Sequence, residues 1–266
     1  YRSSRGLGDV YKRQPQVYRS IFSGQKNVQI EANRKKLTVF FSDIKDFTEL
    51  TDRLEPEVLS SLLNSYLNEM SKIALKYGGT IDKFVGDAIL IFFGDPETNG
   101  EKADATSCVL MALEMRERMK FMRQIWEDEG ISKPLNIRIG INTGYCNVGN
   151  FGSEDRLDYT IIGGEVNLAS RLESNASVGQ ILVSHETYSL IKNSITCEAR
   201  EEINVKGLAH KVRTYQVIDK KEKNEKGVTK LKDNYDGFSL SIDLDVSRKA
   251  EVIASLKNAL AKIQKN

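Results

Sequence analysis

At 266 residues the chain is long enough for one full domain with its own core plus additions. Its 39 Lys and Arg stand against 37 Asp and Glu, a net charge of +2, so the overall balance indicates no nucleic-acid-coating surface and any anion binding must come from local clusters. The three cysteines, Cys108, Cys146 and Cys197, and the two histidines lack the spacing of a disulfide scaffold or a zinc site, and no apolar run approaches the roughly 18 residues that span a bilayer.

Residues 1–34 open on "YRSSRGLGDVYKRQ", which has neither helical nor strand periodicity and is expected to be a fragment boundary or a connecting segment. "LTVFFSDI" (37–44) is a near-continuous apolar run that predicts a buried strand ending in Asp43. Pro56 then suits the first turn of a helix. Its apolar residues recur every three or four positions from Val58 to Ala74, until Gly78 and Gly79 stop the pattern. "GGTIDKFVGDAILIFFG" (78–94) predicts two strands joined by a tight turn, with Lys83 and Asp87 placed inside it. A second helix is predicted from about Glu101 to Glu129, and "LNIRIGINTG" (135–144) alternates as a half-buried strand. The order is βαββαβ, an α+β class with a ferredoxin-like core. A turn-rich segment around "NFGSEDRLDYT" follows, then a helix from about Glu165 and short elements ending in "KVRTYQVID". Residues 221–237 fit a charged linker, and 238–266 a strand and an amphipathic helix added to the 35–220 domain.

A right-handed crossover makes the first two strands parallel, so Asp43 and Asp87 are expected at the same edge of the sheet. Two carboxylates meeting without a cation repel, and a divalent metal resolves the conflict. Gly86 permits the tight turn, and the backbone from Asp43 to Phe47 can offer carbonyls or N–H groups to metal and phosphate. Either aspartate alone would read better as a turn or helix cap. Lys83 alone is an exposed edge lysine, Thr160 an ordinary strand threonine and Lys206 a turn lysine. Asn167 and Arg171 are harder to dismiss, because they lie four apart on one helix face beside Val166, Ala169 and Leu172.

Together these stretches resemble the catalytic domain of class III adenylyl cyclases of bacterial type, over roughly residues 35–220. The resemblance implies the nucleotidyl cyclase fold with additional strands and helices. It implies two Mg²⁺ or Mn²⁺ ions per site, with Asp43 from "FFSDIKDFT", Ile44 and Asp87 from "KFVGDA" at the metal positions. Phe47 falls among its substrate positions; Lys83 and Thr160 would read the adenine edge, Asn167 from "YTIIGGEVNLASRLE" would orient the ribose, and Arg171 with Lys206 from "VKGL" would neutralise phosphates. The implied reaction converts ATP to 3′,5′-cyclic AMP and pyrophosphate in a homodimer with shared sites, in cytoplasmic signal transduction. An upstream sensor outside this chain is expected, with no nucleic-acid partner and no membrane insertion by this segment. Related guanylyl enzymes usually carry glutamate and cysteine or a similar pair where Lys83 and Thr160 stand, so this pair favours ATP. The alternatives are a guanylate cyclase, a catalytically weak nucleotide-binding regulator, an interaction domain and a diguanylate cyclase. The last is suggested by "GGEV" (163–166), a motif that belongs in a hairpin there but here opens an apparent helix.

Overall fold

The computed structural model describes residues 32–131, 135–153, 156–205, 211–221, 230–235, 238–243 and 249–263. The chain divides into two compact units, residues 1–221 and 222–266. In the first, strand β1 (Ala32–Ile44) leads through helices α1 (Phe47–Arg53) and α2 (Pro56–Lys76) to β2 (Thr80–Val85) and β3 (Ala88–Phe93). Helix α3 (Glu101–Asp128) returns the chain to β4 (Ile137–Ser153), which doubles back as β5 (Arg156–Ile162). Helix α4 (Gly164–Asn175), β6 (Ile181–Ser184), α5 (His185–Ile191), β7 (Ile195–Ile203) and β8 (Val212–Lys220) complete the unit.

The strands form a mixed sheet in the order β2-β3-β1-β4-β6-β8-β7, with β5 paired to β4. Strand β1 is antiparallel to both β3 and β4, and β2 is antiparallel to β3. Strands β1 and β2 therefore run the same way and end at one edge, as the βαββαβ reading requires. Strand β3 is buried on both faces, which explains its unbroken apolar sequence. Its Ile89, Ile91 and Phe93 join Phe40, Tyr66, Met70, Met111, Met115 and Trp126 in the core on the α2 and α3 side. Leu90 and Phe92 face the other way, with Leu37, Val39, Cys146, Val148 and Ile161.

After α3, two segments differ from the sequence-based expectation. The turn-rich segment is largely strand, because β4 runs on to Ser153 and pairs with β5 through residues 147–153; the glycines there hide any alternation. Within the stretch expected as a linker, Lys230–Tyr235 forms strand β9, paired with β10 (Phe238–Asp243) before helix α6 (Lys249–Ile263). Backbone pairing needs no apolar alternation, so a charged sequence conceals it. Among the described residues no helix is long and apolar enough to cross a membrane.

Candidate active site

The site begins where β1 ends. Gly86 takes a positive φ of 64°, and with Asp87 it forms the two-residue turn between Val85 and Ala88. That turn carries Asp87 to the end of β1, where its Oδ2 accepts a hydrogen bond from the Ile44 N–H at 3.1 Å. Asp43 stands beside it; burial, and then the neighbouring Asp43 carboxyl, push the Asp87 carboxyl up to about 6. Such a mutually repelling, half-buried pair has the donor chemistry of a divalent-cation site. Among the described residues no group of three or more His, Cys, Asp or Glu could hold a metal, so further ligands would come from backbone, substrate or water.

The backbone after Asp43 is less free than expected. Ile44 N–H is taken by Asp87, and Lys45 N–H donates to the Asn136 carbonyl at 2.7 Å. The Phe47 side chain packs against the α2-side core. It remains partly exposed at the start of α1. Lys206 lies outside the described residues.

Three residues that sequence reasoning missed organise the site. Arg138, opposite Asp43 in the β1–β4 register, donates from Nη2 to Asp43 Oδ2 at 3.1 Å. The same nitrogen lies 2.8 Å from Glu173 Oε1, an ion pair lacking hydrogen-bond alignment. Burial raises the Glu173 carboxyl to about 7, with Arg138 opposing the rise and the Asp43 and Asp87 charges adding to it. One arginine thus ties the end of β1 to helix α4. That helix lies directly on β4: a Cβ at Gly140 would sit 2.2 Å from both the Ala169 carbonyl oxygen and the Glu173 nitrogen. Asn142 anchors its first turn, donating from Nδ2 to Glu165 Oε2 at 2.6 Å. Ala169 and Leu172 are buried as predicted, which leaves Asn167 and Arg171 on the exposed face. Among the described residues neither of those two side chains has a hydrogen-bond or ion-pair partner. Gly163 and Gly164 open this helix, so "GGEV" occupies no hairpin.

Asp82 is the third missed residue. The register shifts between Ile81 and Lys83, so Asp82 is a bulge. Ile81 stands opposite Ile91 on the α2 side, whereas Lys83 stands opposite Leu90 and so faces the other side of the sheet. There Lys83 Nζ donates to Thr160 Oγ1 at 2.9 Å, joining two residues that the sequence separates widely. Thr160 Oγ1 in turn donates to Asp82 Oδ2 at 2.7 Å. Burial pushes the Asp82 carboxyl up, while the Thr160 hydrogen bond and the Lys83 charge pull it down.

The sequence profile of the family described as "Adenylate and Guanylate cyclase catalytic domain" matches residues 30–219. Over 217 residues the chain is 36% identical to the terminal-differentiation-specific adenylate cyclase of Dictyostelium discoideum, an alignment covering 79% of this chain and 10% of that protein. The crystal structure of the adenylyl cyclase CyaB from P. aeruginosa is 65% identical with a TM-score of 0.70, covering 71% of this chain and 97% of that one. The structure of the guanylyl cyclase Cya2 is 34% identical with a TM-score of 0.69, covering 74% and 98% respectively. The chain spans only 10 to 38% of the length of the first curated relatives it matches. With the match covering most of the chain, on a fold shared with solved members, the chain belongs to the adenylate and guanylate cyclase catalytic domain family.

Proposed function

We propose that the chain is an adenylate cyclase acting in intracellular signalling. It converts ATP to 3′,5′-cyclic AMP and pyrophosphate in a homodimer, each site taking Asp43 and Asp87 from one copy and Lys83, Thr160, Asn167 and Arg171 from the other. The observation that carries the choice of base is the 2.9 Å Lys83–Thr160 contact. An ammonium donor beside a hydroxyl oxygen matches the ring-nitrogen acceptor and exocyclic amino donor of adenine, and guanine presents the reverse pattern. The 65% identity to an adenylyl cyclase of known structure points the same way.

Asp43, Asp87 and the Ile44 backbone would hold Mg²⁺ or Mn²⁺, which when bound polarises the attacking oxygen and offsets the triphosphate charge. Asn167 orients the ribose so that its 3′-oxygen lies in line with the α-phosphorus. The 3′-O–P bond forms as the bond to pyrophosphate breaks, and the hydroxyl proton leaves to solvent. Arg171 meets the charge that grows on the phosphoryl oxygens. Two observations support assembly across copies. Asn167 and Arg171 are exposed without partners among the described residues, and Phe84, Val85, Tyr145 and Ile162 are large apolar side chains left exposed.

Guanylate cyclisation is the second reading, favoured by the 34% identity and shared fold with a guanylyl cyclase. Incubation with ATP or GTP and Mn²⁺ or Mg²⁺, followed by chromatography, separates the two. Cyclic AMP should form in preference. Preferential cyclic GMP would install the second reading, and no cyclic product from either nucleotide would remove both.

A further inference from the structure

We propose that Asp82 is a specificity-determining positioning residue: it takes the single proton of the Thr160 hydroxyl, so that Thr160 can accept a hydrogen bond from the base but cannot donate one. The inference rests on the proposed reading of Lys83 and Thr160 as the base-reading pair.

The donor chemistry leaves one assignment. A lysine ammonium only donates, so in its 2.9 Å contact with Lys83 the Thr160 oxygen is an acceptor. The one hydroxyl proton then points along the 2.7 Å contact to Asp82 Oδ2. That oxygen also accepts the Ile161 backbone N–H at 3.4 Å, and Asp82 Oδ1 lies 3.4 Å from Lys83 Nζ, so the group behaves as a carboxylate acceptor on both sides. Its side chain is 1% exposed, with no room to turn toward solvent. The bulge is what aims it: without the extra residue, Lys83 would share a face with Ile81 and never meet Thr160.

When a purine base draws the Lys83 ammonium to its ring nitrogen, the lone pair freed on Thr160 faces the substituent at position 6. An amino group there donates to it. A carbonyl there brings lone pair against lone pair, and Thr160 could turn its proton to that carbonyl only by breaking a charge-assisted bond to a buried carboxylate. Unassisted, a threonine hydroxyl serves either base, and Asp82 removes that ambiguity.

The test is Asp82→Ala, assayed for kcat/KM with ATP and GTP. The ATP-over-GTP ratio should fall at least about fivefold, because the hydroxyl becomes free to donate. In a Thr160→Val background the same substitution should leave the ratio unmoved, since no hydroxyl remains to be set. An unchanged ratio in Asp82→Ala, or equal losses on both nucleotides, would overturn the proposal. If Asp82→Ala does not fold, the unaltered protein decides. N6-methyl-ATP and 6-methoxypurine riboside triphosphate are similar in bulk but present a donor and an acceptor, and the first should be used at least about fivefold better. Equal use would overturn the proposal. A wild-type protein that cyclises neither ATP nor GTP would bring down the proposed function and this inference together, whereas an active protein with an unmoved ratio brings down this inference alone.

Discussion

At Asp87 two demands meet: its Oδ2 holds the Ile44 N–H at 3.1 Å, while burial and Asp43 push its carboxyl up to about 6. Removing either aspartate relieves that repulsion, so Asp43→Ala and Asp87→Ala should remain folded by circular dichroism. Each should lose metal-dependent cyclic AMP formation by at least about a hundredfold. Near-normal turnover in either variant would take that residue out of the metal site. Base reading has its own signature. Lys83→Glu combined with Thr160→Cys reverses the donor and acceptor pattern and should shift the kcat/KM preference toward GTP by about tenfold or more, with the metal residues untouched. The four residues behind these predictions are legible in the sequence because each sits at a strand end, in a turn or in a recognisable motif. Arg138, Glu173 and Asp82 are not. Arg138 reads as an exposed residue of an alternating strand and Glu173 as part of a polar helix face. Their partners are distant in the chain, and Asp82 depends on a bulge that no local pattern announces.

Helix α4 shows how packing turns sequence into site geometry. Gly140 is required because helix backbone occupies the space where a Cβ would be, 2.2 Å from Ala169 O and Glu173 N. Backbone atoms cannot step aside as a flexible side chain can. Gly140→Ala should therefore cost about 1–3 kcal/mol, read as a lowered Tm, and should reduce cyclisation because Asn167 and Arg171 ride on the displaced helix. The buried Glu173 carboxyl, 2.8 Å from Arg138, adds a pH dependence. Folded Glu173 keeps its proton to about 7, whereas the unfolded chain releases it near 4.5. Between these values the native state binds more protons than the unfolded state, so stability falls as pH rises. The Tm of metal-free protein should decline from about pH 5 to about pH 7.5, and Glu173→Gln should flatten that slope. A slope unaltered in the variant would assign the effect elsewhere. At this scale the predicted helices match the structure closely, because three- and four-residue periodicity survives in a single sequence. The β4–β5 pairing and the β9–β10 hairpin are hidden by glycine and charge, since strand pairing is made by backbone groups that leave no mark on composition.

For the whole molecule, the parallel run of β1 and β2 follows from the βαββαβ order alone, and it brings Asp43 to Asp87. Among the described residues of one copy, the Asn167 and Arg171 side chains have no hydrogen-bond or ion-pair partner, and a single sequence carries no direct mark of a second copy that would supply one. In the proposed dimer two copies assemble each site from different halves, which a mixture of Asp43→Ala with Arg171→Ala protein can report. Each variant alone should be nearly inactive, since every site in either homodimer carries one defect. In a mixed dimer one site collects both defects and the other is built from intact halves. With random subunit exchange, verified by differently tagged chains, activity should return to roughly a quarter of the wild-type value by twofold counting. Verified exchange with no recovery of cyclic AMP formation would mean that the sites are not shared between copies.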